Sequence, residues 1–86
     1  MPKVDPELRQ EWKDGERRTF SLIVKVSGDI ETRRETLEEM GCQVKGAYRL
    51  TNSVSVRCTG ATALRLTRRP WITRVERDST LRAFGG

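Results

Sequence analysis

The chain has 86 residues, of which 35% are hydrophobic and 34% charged; 17 Lys+Arg against 12 Asp+Glu give a net charge of +5. This length makes one small domain, and such a chain buries only ~60–65% of its unfolded surface, too little to enclose a deep active site. Histidine is absent, which removes Ser-His-Asp and Cys-His catalysis and imidazole metal ligation, so a binding module is expected and not an enzyme.

Residues 1–18 are polar and read as an N-terminal arm. Asp5-Pro6-Glu7 offers an N-cap followed by a proline in the first turn, so the arm has the start of a short helix, with Leu8 and Trp12 on one face. Phe20 to Val26 alternates and is rich in β-branched residues, which predicts a strand with Phe20, Leu22, Val24 and Val26 inward. Ser27-Gly28 ends it, and Asp29 caps a helix over 30–40 with Ile30, Leu37 and Met40 as its apolar stripe and Gly41 as the left-handed terminator.

A second strand follows. Strict alternation puts Val44, Gly46, Tyr48 and Leu50 inward and Gln43, Lys45, Ala47 and Arg49 outward. Thr51-Asn52-Ser53 is a turn, and the third strand puts Val54, Val56 and Cys58 inward. Thr59-Gly60 opens a helix over 61–69 that Pro70 ends, and Trp71 to Glu76 is the last strand. Residues 79–86 lack periodicity and read as an extended tail. The order β-α-β-β-α-β predicts an α+β, ferredoxin-like domain over 19–78, a four-stranded antiparallel sheet with two helices on one face. A β-grasp fold needs a hairpin before its helix, so the terminal Gly85-Gly86 does not argue for a ubiquitin-like modifier.

The cysteines form no CxxC and no metal site is expected. A turn at Thr51-Asn52 pairs positions whose numbers sum to about 103, which leaves Cys42 and Cys58 unopposed and predicts two reduced thiols. No cofactor motif is present. No apolar run approaches the ~20 residues that span a bilayer, so no membrane partner is expected.

The helix-free face is expected to show Ser21, Ile23, Lys25, Lys45, Ala47, Arg49, Ser53, Ser55 and Arg57. It is basic and built of small residues. Seven basic side chains lie between Lys45 and Arg74 with no acid among them, which makes nucleic-acid binding an alternative function. Against it, the expected face has no aromatic side chain for base stacking and the chain has no GxxG loop. Arg65, Arg68 and Arg69 also fit the solvated side of the second helix.

Charge is uneven along the chain. Residues 1–40 carry eight basic and ten acidic side chains; residues 41–86 carry nine basic and two acidic ones, Glu76 and Asp78. Leu22-Ile23-Val24-Lys25-Val26, Asn52-Ser53-Val54-Ser55-Val56-Arg57, and Leu66 with Pro70, Ile72 and Val75-Glu76-Arg77-Asp78 together resemble the subtilisin propeptide-like inhibitor family. The resemblance covers Ser21 to Phe84, about three-quarters of the chain, and its last segment is the most specific.

That resemblance implies the same β-α-β-β-α-β fold and a subtilisin-like serine protease as partner, inhibited and assisted in folding. It implies that Glu76 and Asp78 meet helix N-termini on the protease, where free N–H groups favour a carboxylate. The sheet face, with Lys45, Ala47, Ser53 and Ser55, is the implied contact surface. The tail is implied to lie in the substrate cleft as an added strand, with Phe84 in the primary pocket, Leu81 in a second pocket, and Arg82 and Ala83 between them. Gly85-Gly86 then lie past the pocket residue. The free domain is expected to be monomeric. The start, Met1-Pro2-Lys3-Val4-Asp5, has no signal-like apolar stretch. A cytoplasmic setting follows by default, or a secreted one for a propeptide fragment.

Overall fold

The structure, a computed structural model, describes residues 3–78. Four strands, β1 (Thr19–Val26), β2 (Gln43–Tyr48), β3 (Ser53–Thr59) and β4 (Ile72–Arg77), form one antiparallel sheet in the order β2-β3-β1-β4. Helices α2 (Ile30–Glu39) and α3 (Gly60–Leu66) are the two crossovers, and α1 (Pro6–Asp14) precedes the first strand. The fold is α+β and ferredoxin-like, as the alternation of patterns predicts.

Local chemistry explains the element ends. Asp5 caps α1 by accepting from the Glu7 N–H at 2.9 Å, with Pro6 as the first helical residue. Asp29 caps α2 through the Thr32 N–H, and Gly41 takes φ 101° just beyond its C-terminus. Thr59 caps α3 through the Thr62 N–H. Helix α3 is shorter than the predicted 61–69: after Leu66 the chain tightens into i→i+3 turns, Arg68 N–H to Arg65 and Arg69 N–H to Leu66. The Thr67 hydroxyl donates back to the Leu64 carbonyl at 2.6 Å. Pro70 has no N–H and disfavours helix at Arg69, so the last turn cannot propagate.

The core lies between the sheet and the helices. Leu22, Val24, Leu37, Val54, Val56, Ala63, Leu66 and Ile72 are fully buried. At ~25 cal/mol per Å² of apolar surface, each large side chain contributes about 1.5–3 kcal/mol of burial free energy. The arm is more than an arm: Val4, Leu8 and Trp12 belong to the same buried cluster, with Trp12 at 0% exposure. Residues 3–78 therefore share one core, with no packing boundary at 18/19.

Two close contacts tie α1 to α3. A Cβ at Gly60 would lie 2.6 Å from both the Trp12 and Gly15 carbonyl oxygens. Gly60 N–H donates to Arg18 O at 3.0 Å and Ala61 N–H to Glu16 O at 3.1 Å, so the turn after α1 satisfies the first donors of α3. At the other end, Lys3 Nζ donates to Arg69 O at 2.7 Å, and Val75 N–H donates to Lys3 O at 2.8 Å. Lys3 thus hydrogen-bonds to the edge strand β4.

Candidate functional site

Among the described residues no helix covers one face of the sheet, and β-strand alternation decides what it shows. From the central strand β1 it receives Ser21, Ile23 and Lys25; from β3, Ser53, Ser55 and Arg57; from β4, Arg74 and Glu76, with Asp78 just past the strand end. Strand β2 departs from the expected alternation. Its register with β3 shifts between Val44 and Gly46, leaving Lys45 as the extra residue of a β-bulge. Before the bulge Val44 faces Val56; after it Gly46 faces Ser55, Ala47 faces Val54 and Tyr48 faces Ser53.

Five assignments change, three after the bulge and two in the loop that follows; the first is Gly46, expected inward, which faces Ser55 on the open side. Ala47, expected on the contact face, shares the side of the buried Val54 and packs against the core. Tyr48, expected inward, lies on the open face, 52% exposed. Its ring runs back over Gly46, where the phenol oxygen is 3.1 Å from the position of a Cβ. Leu50, also expected inward, is fully exposed in the hairpin loop. Arg49 turns away from the open face and pairs at 3.6 Å with Glu31 in the first turn of α2.

Lys45 keeps its place on the face. Its ammonium lies 3.8 Å from the Asp78 carboxylate and 3.5 Å from the Ser21 hydroxyl. Ser55 Oγ donates to the same carboxylate at 3.3 Å, and Asp78 N–H donates to Ser21 O at 3.0 Å. The Asp78 side chain is only 7% exposed. Ser53 and Ser55 are buried on this open side, so its floor is polar, small and tightly packed.

Glu76 differs from Asp78. Its side chain is 41% exposed and pairs with Lys25 at 3.5 Å and Arg74 at 3.6 Å. Both isolated acids of the second half therefore project onto one face, two residues apart at the end of β4. In the free domain each is neutralised by cations of its own sheet. Beside them, a shallow depression of about 380 Å³ between α1 and β4 is lined by Asp5, Glu7, Arg74, Glu76 and Arg77 among others, and opens widely to solvent.

The expected cleft-binding residues Leu81, Arg82, Ala83 and Phe84, with Gly85 and Gly86, lie outside the described residues. Among the described residues no group of three or more His, Cys, Asp or Glu side chains is placed to hold a metal ion. No helix among them is long and apolar enough to cross a membrane.

The cysteines depart from the sequence expectation. The β2–β3 loop holds four residues, Arg49 to Asn52, with Asn52 in the left-handed region at φ 52°. The pair sum is 101 at the turn and falls to 100 beyond the bulge. Continued one step past its last pair, Gln43 with Arg57, that register points Cys42 towards Cys58, close enough for the two thiols to perturb each other. A hydrogen bond from Cys58 lowers the Cys42 thiol pKa against the opposing effect of burial. The same bond, with burial, raises that of Cys58. Both cysteines are free and buried. Sequence spacing alone missed the pair because one bulge and a four-residue loop move the register by two to three positions.

Comparison with protein families, curated proteins and solved structures finds no match to this chain.

Proposed function

We propose that this domain inhibits a subtilisin-like serine protease and assists its folding. It docks through the helix-free sheet face and passes the segment after Asp78 along the substrate cleft. The observation that carries the reading is the placement of Glu76 and Asp78. They are the only acids after Met40, and both project onto the open face at the exit of the chain from β4.

Physical chemistry supports this use of the face. Gly46, Ser53 and Ser55 keep the floor low, so a partner's helices can approach the backbone. A carboxylate against a helix N-terminus contributes about 0.3–2 kcal/mol, more when desolvated. Docking exchanges the Lys25 and Arg74 pairs of Glu76 for helix N–H groups, and such partly exposed ion pairs are worth only ~0–1 kcal/mol each. With the sheet docked, the tail reaches the cleft at high effective concentration. Binding only the folded protease stabilises it, which is the thermodynamic form of assisted folding.

The test is direct. Purified domain at micromolar concentration is mixed with a subtilisin-type protease, and hydrolysis of a Phe-containing peptide is followed. Progressive inhibition, weakened at least ~10-fold by truncation after Asp78, is expected. Hydrolysis unchanged at that concentration overturns the reading for that enzyme.

One observation favours a second reading. Tyr48, exposed on the same face as Lys45, gives that face an aromatic surface on which an unpaired base could stack. Most neighbouring cations are already engaged, however: Lys25 and Arg74 with Glu76, Lys45 with Asp78, and Arg49 with Glu31. Single-stranded oligonucleotide binding that falls with salt and with Tyr48→Ala, and survives truncation after Asp78, would favour that reading over protease docking.

A further inference from the structure

Cys42 and Cys58 take no part in the open face, yet the fold brings them together. Gln43 faces Arg57 and Val44 faces Val56, and Cys42, the residue just before β2, lies one step beyond that register, towards Cys58. Directly opposed residues of an antiparallel pair have Cα atoms ~4.5–5.5 Å apart, inside the ~4.4–6.8 Å that a disulfide bridges. Both positions are held by backbone contacts: Cys42 N–H donates to Leu37 O at 3.0 Å at the end of α2, and Cys58 faces Phe20 in the sheet centre. Joining the sulfurs is therefore within reach of side-chain rotation at a position one step past the paired strands.

We propose that Cys42 and Cys58 form an oxidisable dithiol that closes to an intrachain disulfide with a hydroperoxide as oxidant, stapling the start of β2 to the end of β3. The two thiols are 5% and 4% exposed, which favours a small oxidant over a bulky disulfide donor. Cys42 is the attacking sulfur. It accepts the hydrogen bond from Cys58, which favours its thiolate, and it follows the exposed turn at Gly41. The Cys42 thiolate attacks the O–O bond, takes one oxygen as the sulfenic acid, and releases the alcohol, or water for hydrogen peroxide, once a proton is supplied. The Cys58 sulfur then displaces that oxygen from Cys42, and the hydroxyl leaves as water with the Cys58 proton. Two S–H groups and one hydroperoxide become one S–S bond, one alcohol and one water. The two electrons given up by the thiols reduce the O–O bond. The link closes the loop that contains the whole β2–β3 hairpin, so it acts mainly by restraining the unfolded chain. None of this depends on the protease reading.

The full chain treated with stoichiometric hydrogen peroxide tests it. The expected product is a monomer lighter by two hydrogens, with no titratable thiol in denaturant. Its melting temperature rises by about 10 °C and returns on adding a thiol reductant. Two surviving thiols, mass gained as sulfinic or sulfonic oxygen, a linked dimer, or an unchanged or lowered melting temperature in the oxidised monomer would each overturn the proposal. Cys42→Ser and Cys58→Ser should abolish the reductant-reversible shift, and its persistence in either counts against the pair. The wild-type chain, reduced and oxidised, is its own reference if a variant fails to fold.

Discussion

Lys45 Nζ stands 3.8 Å from the carboxylate of Asp78, a side chain only 7% exposed and also bonded to the Ser55 hydroxyl. Glu76, two residues earlier, is 41% exposed and, among the described residues, pairs with partly solvated cations. The two acids therefore differ in what they hold in the fold: Asp78 is buried in a polar network, and Glu76 is not. Glu76→Gln should leave urea stability within ~0.5 kcal/mol of wild type, because exposed pairs contribute little. Inhibition should weaken by about 2- to 30-fold as one helix-terminus contact is lost. Asp78→Ala strands Lys45 and Ser55 and should cost about 1–3 kcal/mol of stability as well as weaken inhibition. Equal loss of stability in both variants would show that the two carboxylates share one structural role.

Gly60 is fixed by backbone, not by a turn conformation. A Cβ there would meet the Trp12 and Gly15 carbonyl oxygens at 2.6 Å, and neither can swing aside as a side chain would. Gly60→Ala should push α1 from α3 and destabilise the domain by about 3 kcal/mol, despite alanine's better helix propensity. Urea denaturation reads the loss. A gain in stability would mean that α1 does not pack where described.

Helix α1 carries a second consequence of the same contact. Trp12 is fully buried, and its indole N–H has no acceptor among the described residues. Trp12→Ala should cost about 3–5 kcal/mol, a large part of a small domain's ~5–15 kcal/mol. Trp12→Phe loses volume but also removes an unpaired buried donor, so its cost should be nearer 1 kcal/mol. Deleting residues 1–15 should abolish cooperative unfolding; an unchanged midpoint would return α1 to the status of a loose arm.

Alternation and capping made the four strands and two crossover helices legible. Phe20 to Val26 and Val54 to Cys58 face the way their period of two demands. The proportion of α1 that is core was less visible, because only Leu8 and Trp12 mark it among charged neighbours. The bulge at Lys45 was invisible, since an extra residue in a strand leaves no composition signal and reverses every later side chain. Tyr48, Ala47 and the Cys42–Cys58 contact all turn on that single residue and on the length of the loop before β3. The isolated acids were found from charge counting alone, and Arg74 beside Glu76 is near in sequence, but the cross-strand partners Lys25 and Lys45 were not visible because they reach the acids from strands distant in sequence.

Asp29 sets the acid limit of α2. Its carboxylate accepts from the Thr32 hydroxyl at 2.8 Å and the Thr32 N–H at 3.0 Å, and these bonds hold its pKa below the usual 3.8. A carboxylate with a depressed folded-state pKa binds protons more readily when unfolded. Its stabilisation is therefore fully present above the unfolded value of 3.8 and is lost as pH falls through the lower folded value. Asp29→Asn keeps an oxygen for the cap but cannot titrate. The variant should lose less stability than wild type as pH is taken from neutral to below 3.8, read as the change in urea midpoint with pH. Parallel pH profiles for the two proteins would remove Asp29 from the acid response and leave the other carboxylates to account for it.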